Sequence, residues 1–225
     1  MLGVPEVRSL NRKDLAEEVV AHWAPSLNPR VVYDIGAGDG STREHVEALG
    51  LQWCGFDLHP EKAEISRWDL DDPCPVGSSD CGLVLLLEVI EHLRNPGRAL
   101  RHVAQVLPAG GLLLISTPNP RWSRSRLDAL RTGFLTCFTQ QDLDTNSHVF
   151  PVWPHVLERL LQESGFSVVK YLCLDGATRW PRRPLTLRYP IRFAYAAASK
   201  WLESRDPSAC GMAYAILARR GRVSE

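Results

Sequence analysis

The chain has 225 residues, enough for one sizeable α/β domain with a full core and too few for a second independent one. Its 26 Lys and Arg balance 26 Asp and Glu, so no global field points at DNA or another strongly charged partner. Its six cysteines form no Cys-x-x-Cys pair, which speaks against a zinc site or a disulfide frame and for reduced thiols in the cytoplasm. The first twenty residues are charged and lack an apolar stretch, so they do not read as a signal peptide. Residues 12–24 predict an amphipathic helix with Leu15, Val19, Val20 and Trp23 on one side. "RVVYDIG" (30–36) is a buried strand, 41–49 a helix capped near Ser41 or Thr42, and 52–58 a second strand. A third strand falls at 65–69. The run 81–89, apolar on both faces, is a fourth; its glutamate and its length exclude a membrane span. A helix over 95–107 stops at "LPAGG", and 112–117 is the fifth strand. A helix over 151–166 ends at Gly165, and the last two strands are 167–174 and 212–220.

Strands alternating with helices predict a Rossmann-like, doubly wound, seven-stranded and mostly parallel sheet, with helices on both faces and the last strand antiparallel. The whole of 1–225 reads as one domain. Its core is about 30–174 plus 212–220. Segments 119–150 and 175–210 break the rhythm; they are long, rich in Arg, Pro and Trp, and read as a substrate cap or lid, with plain solvated loops as the alternative.

In "VVYDIGAGDG" glycine occupies every second position from 36 to 40, directly after a buried strand. Ligands of open parallel sheets lie beyond the carboxyl ends of the strands, and glycines there let a ligand approach the backbone. A dinucleotide fingerprint would place the third glycine at 41, which is serine. The spacing is Gly-x-Gly-x-Gly, preceded by Asp34. "DIGAGDG" resembles the first motif of class I S-adenosylmethionine-dependent methyltransferases, and others follow in the family's order. Asp57 closes the second strand, "WDLDDP" follows the third, "LLLEVIEHL" the fourth, and "VLPAGGLLLISTPNP" resembles the family's turn and fifth strand, with Pro108–Ala109 in place of the usual Lys–Pro. The likeness covers about residues 30–170 and is nearest to small-molecule enzymes of the ubiquinone-biosynthesis and methionine-biosynthesis-W kind.

The resemblance implies S-adenosylmethionine as cofactor, S-adenosylhomocysteine as product, and in-line methyl transfer to a small-molecule, lipid-linked or sugar-linked acceptor. It implies that Asp34 helps hold the cofactor's ammonium group, that Gly36, Ala37 and Gly38 pack on its methionine portion, that Asp57 and Leu58 serve the ribose, and that Asp69 and Leu70 hold the adenine edge. Glu88 joins this cofactor set. Capping is the alternative for Asp34 and Asp57. His92 and His148 are the candidate general bases, against a structural role for each alone. No metal is expected. A sharper likeness, of Glu88, Glu91, His92 and a distant His148 to the metal set of small-RNA 2′-O-methyltransferases, is weighed below the metal-free one, and RNA is not favoured as a partner. Two further alternatives are a nicotinamide-dependent oxidoreductase and a non-catalytic cofactor-binding subunit.

The insertions carry Arg121, Arg124, Arg126 and Arg131, then Arg179, Arg182, Arg183, Arg188 and Arg192. They suggest an anionic acceptor. Segment 187–204, with Phe193, Tyr195, Trp201 and Leu202 near one side, also has the pattern of an interfacial helix, but packing as a lid is preferred to a membrane surface.

Overall fold

A computed structural model of the chain describes residues 2–76, 80–181 and 189–221. Arg182, Arg183 and Arg188 therefore lie outside the described residues. Eight strands form one sheet: β1 (Glu6–Val7), β2 (Val31–Ile35), β3 (Gln52–Asp57), β4 (Ile65–Arg67), β5 (Leu83–Leu87), β6 (Leu112–Pro118), β7 (Phe166–Cys173) and β8 (Ala213–Arg220). Their order is β1-β7-β8-β6-β5-β2-β3-β4, and only β8 runs against its neighbours. The sheet thus has one strand more than the sequence predicts. β1 pairs through only two residues, Glu6 with Leu172 and Val7 with Cys173, and two residues are too few to show a period of two.

The central strands are apolar on both faces because both faces are covered. On one side Tyr33, Ile35, Leu86 and Ile115 join a core with Leu100 and Val103 of α3 (Pro96–Val106) and Leu157 and Leu161 of α6 (Pro154–Glu163). On the other, Val32, Leu83, Leu85 and Leu114 meet Leu15, Val19 and Val20 of α1 (Arg12–Trp23) and Val46 of α2 (Arg43–Ala48). Asn11 caps α1 and Asn95 caps α3, each side-chain oxygen accepting backbone N–H groups of the first turn. All six cysteines are free.

The two insertions contain helices and are joined to each other. Segment 119–150 holds α4 (Ser123–Thr132) and α5 (Gln140–Asn146), and segment 175–210 holds α7 (Tyr189–Arg205). α5 is anchored by a capping box between Thr139 and Asp142. α7 buries the small side of Ala196 and Ser199 and the carboxylate of Glu203, while Phe193 and Trp201 stay exposed. Glu203 accepts from Ser123 Oγ at 2.7 Å, Thr178 N at 2.9 Å and Thr178 Oγ1 at 2.6 Å, which joins α7 to α4 and to the end of the β7 loop. Asn119 donates to the carbonyls of Ser208, Cys210 and Gly211, so the chain leaving β6 is tied to the chain entering β8.

Candidate active site

The sheet order reverses between β2 and β5, whose neighbours lie on opposite sides. A crevice therefore opens beyond their carboxyl ends, where the loops part. The glycine loop leaves β2 there. Gly36 N and Ala37 N both donate to Phe56 O, so the first half of the loop is fastened to β3. Gly36, at φ +77°, lies so close to the β5 loop that a Cβ would meet Val89 Cγ2 at 2.4 Å. Gly38, at φ +53°, is different: a Cβ there would meet no protein atom within 4 Å. Packing explains the first glycine. It does not explain the second, where protein leaves room along the backbone.

Asp57 faces Gly38. Its Oδ2 accepts from Gly38 N at 3.0 Å and its Oδ1 from His59 N at 3.0 Å. Each carboxylate oxygen has a second lone pair, so the group can still accept from a vicinal diol. Leu58 beside it is exposed. Asp69 is half-buried, its Oδ1 accepting from Asp71 N at 3.0 Å, whereas Leu70 is buried in the core cluster that also holds Phe56 and Trp68.

Asp34 lies near the end of β2, just before the glycine loop. Its carboxylate is buried and accepts from Thr42 Oγ1 at 2.5 Å, and Thr42 Oγ1 in turn accepts from Trp53 Nε1 at 3.1 Å. Burial raises its pKa, against the lowering effect of the Thr42 and Trp53 hydrogen bonds. Asp34 straps the end of β2 to the start of α2 and so fixes the ends of the glycine loop. The sequence carries no clear signal of the Thr42–Trp53 part of this strap.

On the β5 side the chain turns sharply. Glu88 adopts φ +55°, and its Oε1 accepts from Ser116 Oγ at 3.1 Å. Glu91 is fully buried. Its Oε2 accepts from Thr117 Oγ1 at 2.9 Å, while Oε1 has no hydrogen-bond partner. Burial, followed by the neighbouring Glu88 charge, pushes the Glu91 carboxyl up to about 8.

Segment 147–149 runs beside residues 91–92. Val149 N donates to Glu91 O at 2.9 Å and His92 Nδ1 lies 3.3 Å from Ser147 O. That pairing sets His92 and His148 edge to face, with ring centroids 4.9 Å apart. The two histidines are 56 positions apart in sequence, and the structure brings them together. His148 Nδ1 lies 2.6 Å from Cys137 O. A carbonyl only accepts, so each Nδ1 carries a proton. Burial first, and His148 second, lower the His92 pKa, so His92 is neutral at pH 7. One donor atom from each of Glu91, His92 and His148 lies within 4.8 Å of the others, so these three could hold a metal ion. In the sequence Glu91 is signalled only by the likeness to a metal set, not by the cofactor or base candidates.

Comparison with known proteins agrees with this geometry. A family model described as a methyltransferase domain matches residues 7–171. The chain is 36% identical over 103 residues to a ubiquinone biosynthesis O-methyltransferase of Bradyrhizobium sp., covering 40% of each chain. It is 29% identical over 154 residues to the protein of the same name from Nitrobacter winogradskyi, covering 61% of this chain and 56% of that one. The chain thus spans about half the length of the curated relatives it matches. In fold it is similar to an S-adenosylmethionine-dependent methyltransferase from Archaeoglobus fulgidus, with a TM-score of 0.63 and 18% identity over 92% of this chain and 94% of that one.

Proposed function

The chain belongs to the class I S-adenosylmethionine-dependent methyltransferases, and on that premise we propose that it methylates a hydroxyl group of a small-molecule, lipid-linked or sugar-linked acceptor. The observation that carries this reading is the pairing of Gly38 with Asp57 at the carboxyl ends of β2 and β3. The protein leaves space along the Gly38 backbone and sets beside it a carboxylate with acceptor capacity to spare. These residues fit the cofactor: Gly38 borders its methionine portion, Asp57 accepts from the ribose hydroxyls, and Asp69 stands at the adenine edge. The relatives named for O-methylation support an oxygen nucleophile.

When bound, S-adenosylmethionine supplies a methyl group on a cationic sulfur, which leaves as the neutral thioether when oxygen attacks from the opposite side. The chain's own residues position the partners and take the proton. A hydroxyl is a weak nucleophile until its proton is removed, and a neutral imidazole near its own pKa is suited to that task. His92 and His148 stand edge to face beside the β5 loop, where either ring could take that proton.

A transfer assay with labelled S-adenosylmethionine and a panel of hydroxylated acceptors, aromatic diols first, tests this reading. His92→Ala or His148→Ala should lower turnover about 10²-fold while leaving S-adenosylhomocysteine affinity near that of the parent. Equal losses in both quantities would assign the pair a structural role.

A second reading is favoured by one observation, the unpartnered Oε1 of buried Glu91. Buried carboxylate oxygens without a hydrogen bond are rare. Glu91, His92 and His148 would hold a divalent cation, which lowers the pKa of a bound hydroxyl. Turnover abolished by a chelator and restored by a divalent ion, but not restored in Glu91→Ala, would select this reading. Full activity in chelator would reject it.

A further inference from the structure

Outside the site above, a pocket of about 630 Å³ lies between α4, α7 and the segment after Thr178, and four guanidinium groups line it: Arg124, Arg131, Arg179 and Arg192. One acid lines it with them. That acid, Asp128, is already occupied: it accepts from Tyr195 Oη at 2.8 Å, from Thr136 Oγ1 at 3.1 Å and from Arg131 Nη2 at 3.4 Å. Among the described residues Arg124, Arg179 and Arg192 make no ion pair. Arg124 is held in place all the same. Its guanidinium lies over the Trp122 ring, 5.5 Å from the centroid, and its Nε is buried without a hydrogen-bond partner. A buried guanidinium N–H without an acceptor is destabilising, and an oxyanion would satisfy it. Of the four, Arg124 is half-buried against this aromatic plane, and Arg131, Arg179 and Arg192 are exposed.

The pocket shares a stretch of chain with the histidine pair. Thr136 lines it, and the following residue, Cys137, presents its carbonyl to His148 Nδ1 at 2.6 Å.

We propose that this pocket binds a phosphate-class oxyanion, a phosphate monoester or a diphosphate, and that it holds the acceptor by that group; the second half of the proposal rests on the methyl-transfer reading above. Phosphate is favoured over carboxylate by number. A carboxylate offers two oxygens, which a single bidentate guanidinium can satisfy, whereas phosphate offers three oxygens and about two charges to be shared among several guanidinium forks.

The test is calorimetric titration of the full chain with inorganic pyrophosphate, with acetate as the carboxylate control, at low and at physiological salt. S-adenosylhomocysteine is titrated in parallel. One pyrophosphate should bind per chain, and Arg124→Gln or Arg192→Gln should weaken it about ten-fold or more, the loss of one charge-assisted hydrogen bond. Arg205→Gln, which lies over Trp201 outside the pocket, should not. Arg192 is exposed, so its variant folds even if that of Arg124 does not. S-adenosylhomocysteine affinity should be the same in all of them. Absence of pyrophosphate binding, or binding equal in every variant, overturns the proposal while intact S-adenosylhomocysteine binding leaves the methyltransferase reading standing. Pyrophosphate binding without S-adenosylhomocysteine binding leaves the oxyanion pocket and removes its role in acceptor recognition. Sedimentation with phosphatidylcholine vesicles, with and without phosphatidylglycerol, separates the sources. Arginine-dependent sedimentation on the anionic vesicles assigns the phosphate to a lipid headgroup, and its absence assigns a soluble ester.

Discussion

Two glycines that look alike in the sequence do different work. Gly36 is required by the protein itself, because a side chain there runs into Val89. Gly38 sits in the left-handed region with no protein atom near its missing Cβ, which is the space the proposed cofactor site needs. The two substitutions should separate accordingly. Gly36→Ala should lower the thermal unfolding midpoint, through the clash and the left-handed backbone. Gly38→Val should abolish S-adenosylhomocysteine binding, with only about 1–2 kcal/mol of backbone strain in the fold. Retained affinity in Gly38→Val, measured by calorimetry, would remove the cofactor from this loop. Asp57→Ala takes an acceptor away from Gly38 N as well as from the ligand, so affinity should fall by about 1.5–3 kcal/mol per lost charge-assisted bond. At this scale the sequence was legible where a residue type had one reason to be present. The glycine spacing and Asp57 could be read because few folds need them together. Asp34 could not be resolved, since a carboxylate at a strand end serves a ligand or a cap equally well. Only Thr42 and Trp53, brought near it by the fold, show that it straps the loop.

Elements were legible in proportion to their length and burial. The strands that cross the core, such as Leu83–Leu87, declare themselves by unbroken apolar runs, and α3 and α6 by apolar residues at helical spacing. β1 was missed because two exposed residues carry no pattern. The insertions were legible only as interruptions, since their helices are joined by polar groups rather than by an apolar face. Glu203 is the main joint. Replacing it by Leu leaves Ser123 Oγ and the Thr178 N–H buried without an acceptor, and should cost about 2–4 kcal/mol, seen as a lower midpoint in thermal unfolding. An unchanged midpoint would mean that α7 is not docked through this residue. Asp206 supplies a second joint, ion-paired to Arg126 at 2.6 Å and Arg121 at 2.9 Å. Burial raises its pKa, but hydrogen bonds from Ser208 and Arg126 and the two guanidinium charges outweigh it and bring the carboxyl down to about 2. A depressed pKa stabilises the fold above the unfolded value of 3.8, and the gain is lost as pH falls through about 2. Asp206→Asn should therefore cost about 1 kcal/mol at pH 7, after discounting for solvent around a side chain that is 25% exposed. The cost should vanish near pH 2, as followed by denaturant unfolding at the two pH values.

Across the whole molecule the chemistry is divided by location. The carboxyl ends of β2, β3 and β5 carry the candidate cofactor residues, and segments 119–150 and 175–210 carry the pocket arginines and the exposed Phe134, Trp180, Phe193 and Trp201. The overall charge balance hides this division. Segment 175–210 alone holds seven Lys and Arg against three Asp and Glu in a chain that sums to zero. No helix among the described residues is long and apolar enough to cross a membrane. The division explains why the family and the cofactor could be read from the sequence and the acceptor could not. A cofactor common to many enzymes is met by a spacing that recurs, whereas an acceptor is met by loops free to vary on this fold. The histidine pair shows the same limit: His92 and His148 meet only because Val149 pairs with Glu91 across the mouth. The claim on which all of this depends is that the Gly38–Asp57 cradle receives the sulfonium cofactor. The most direct test is calorimetric titration of the purified chain, freed of any co-purified ligand, with S-adenosylhomocysteine and, in parallel, with NADH. One S-adenosylhomocysteine bound per chain and no response to NADH is the expected result. Binding of NADH in its place, or S-adenosylhomocysteine binding that survives Gly38→Val unchanged, would contradict it.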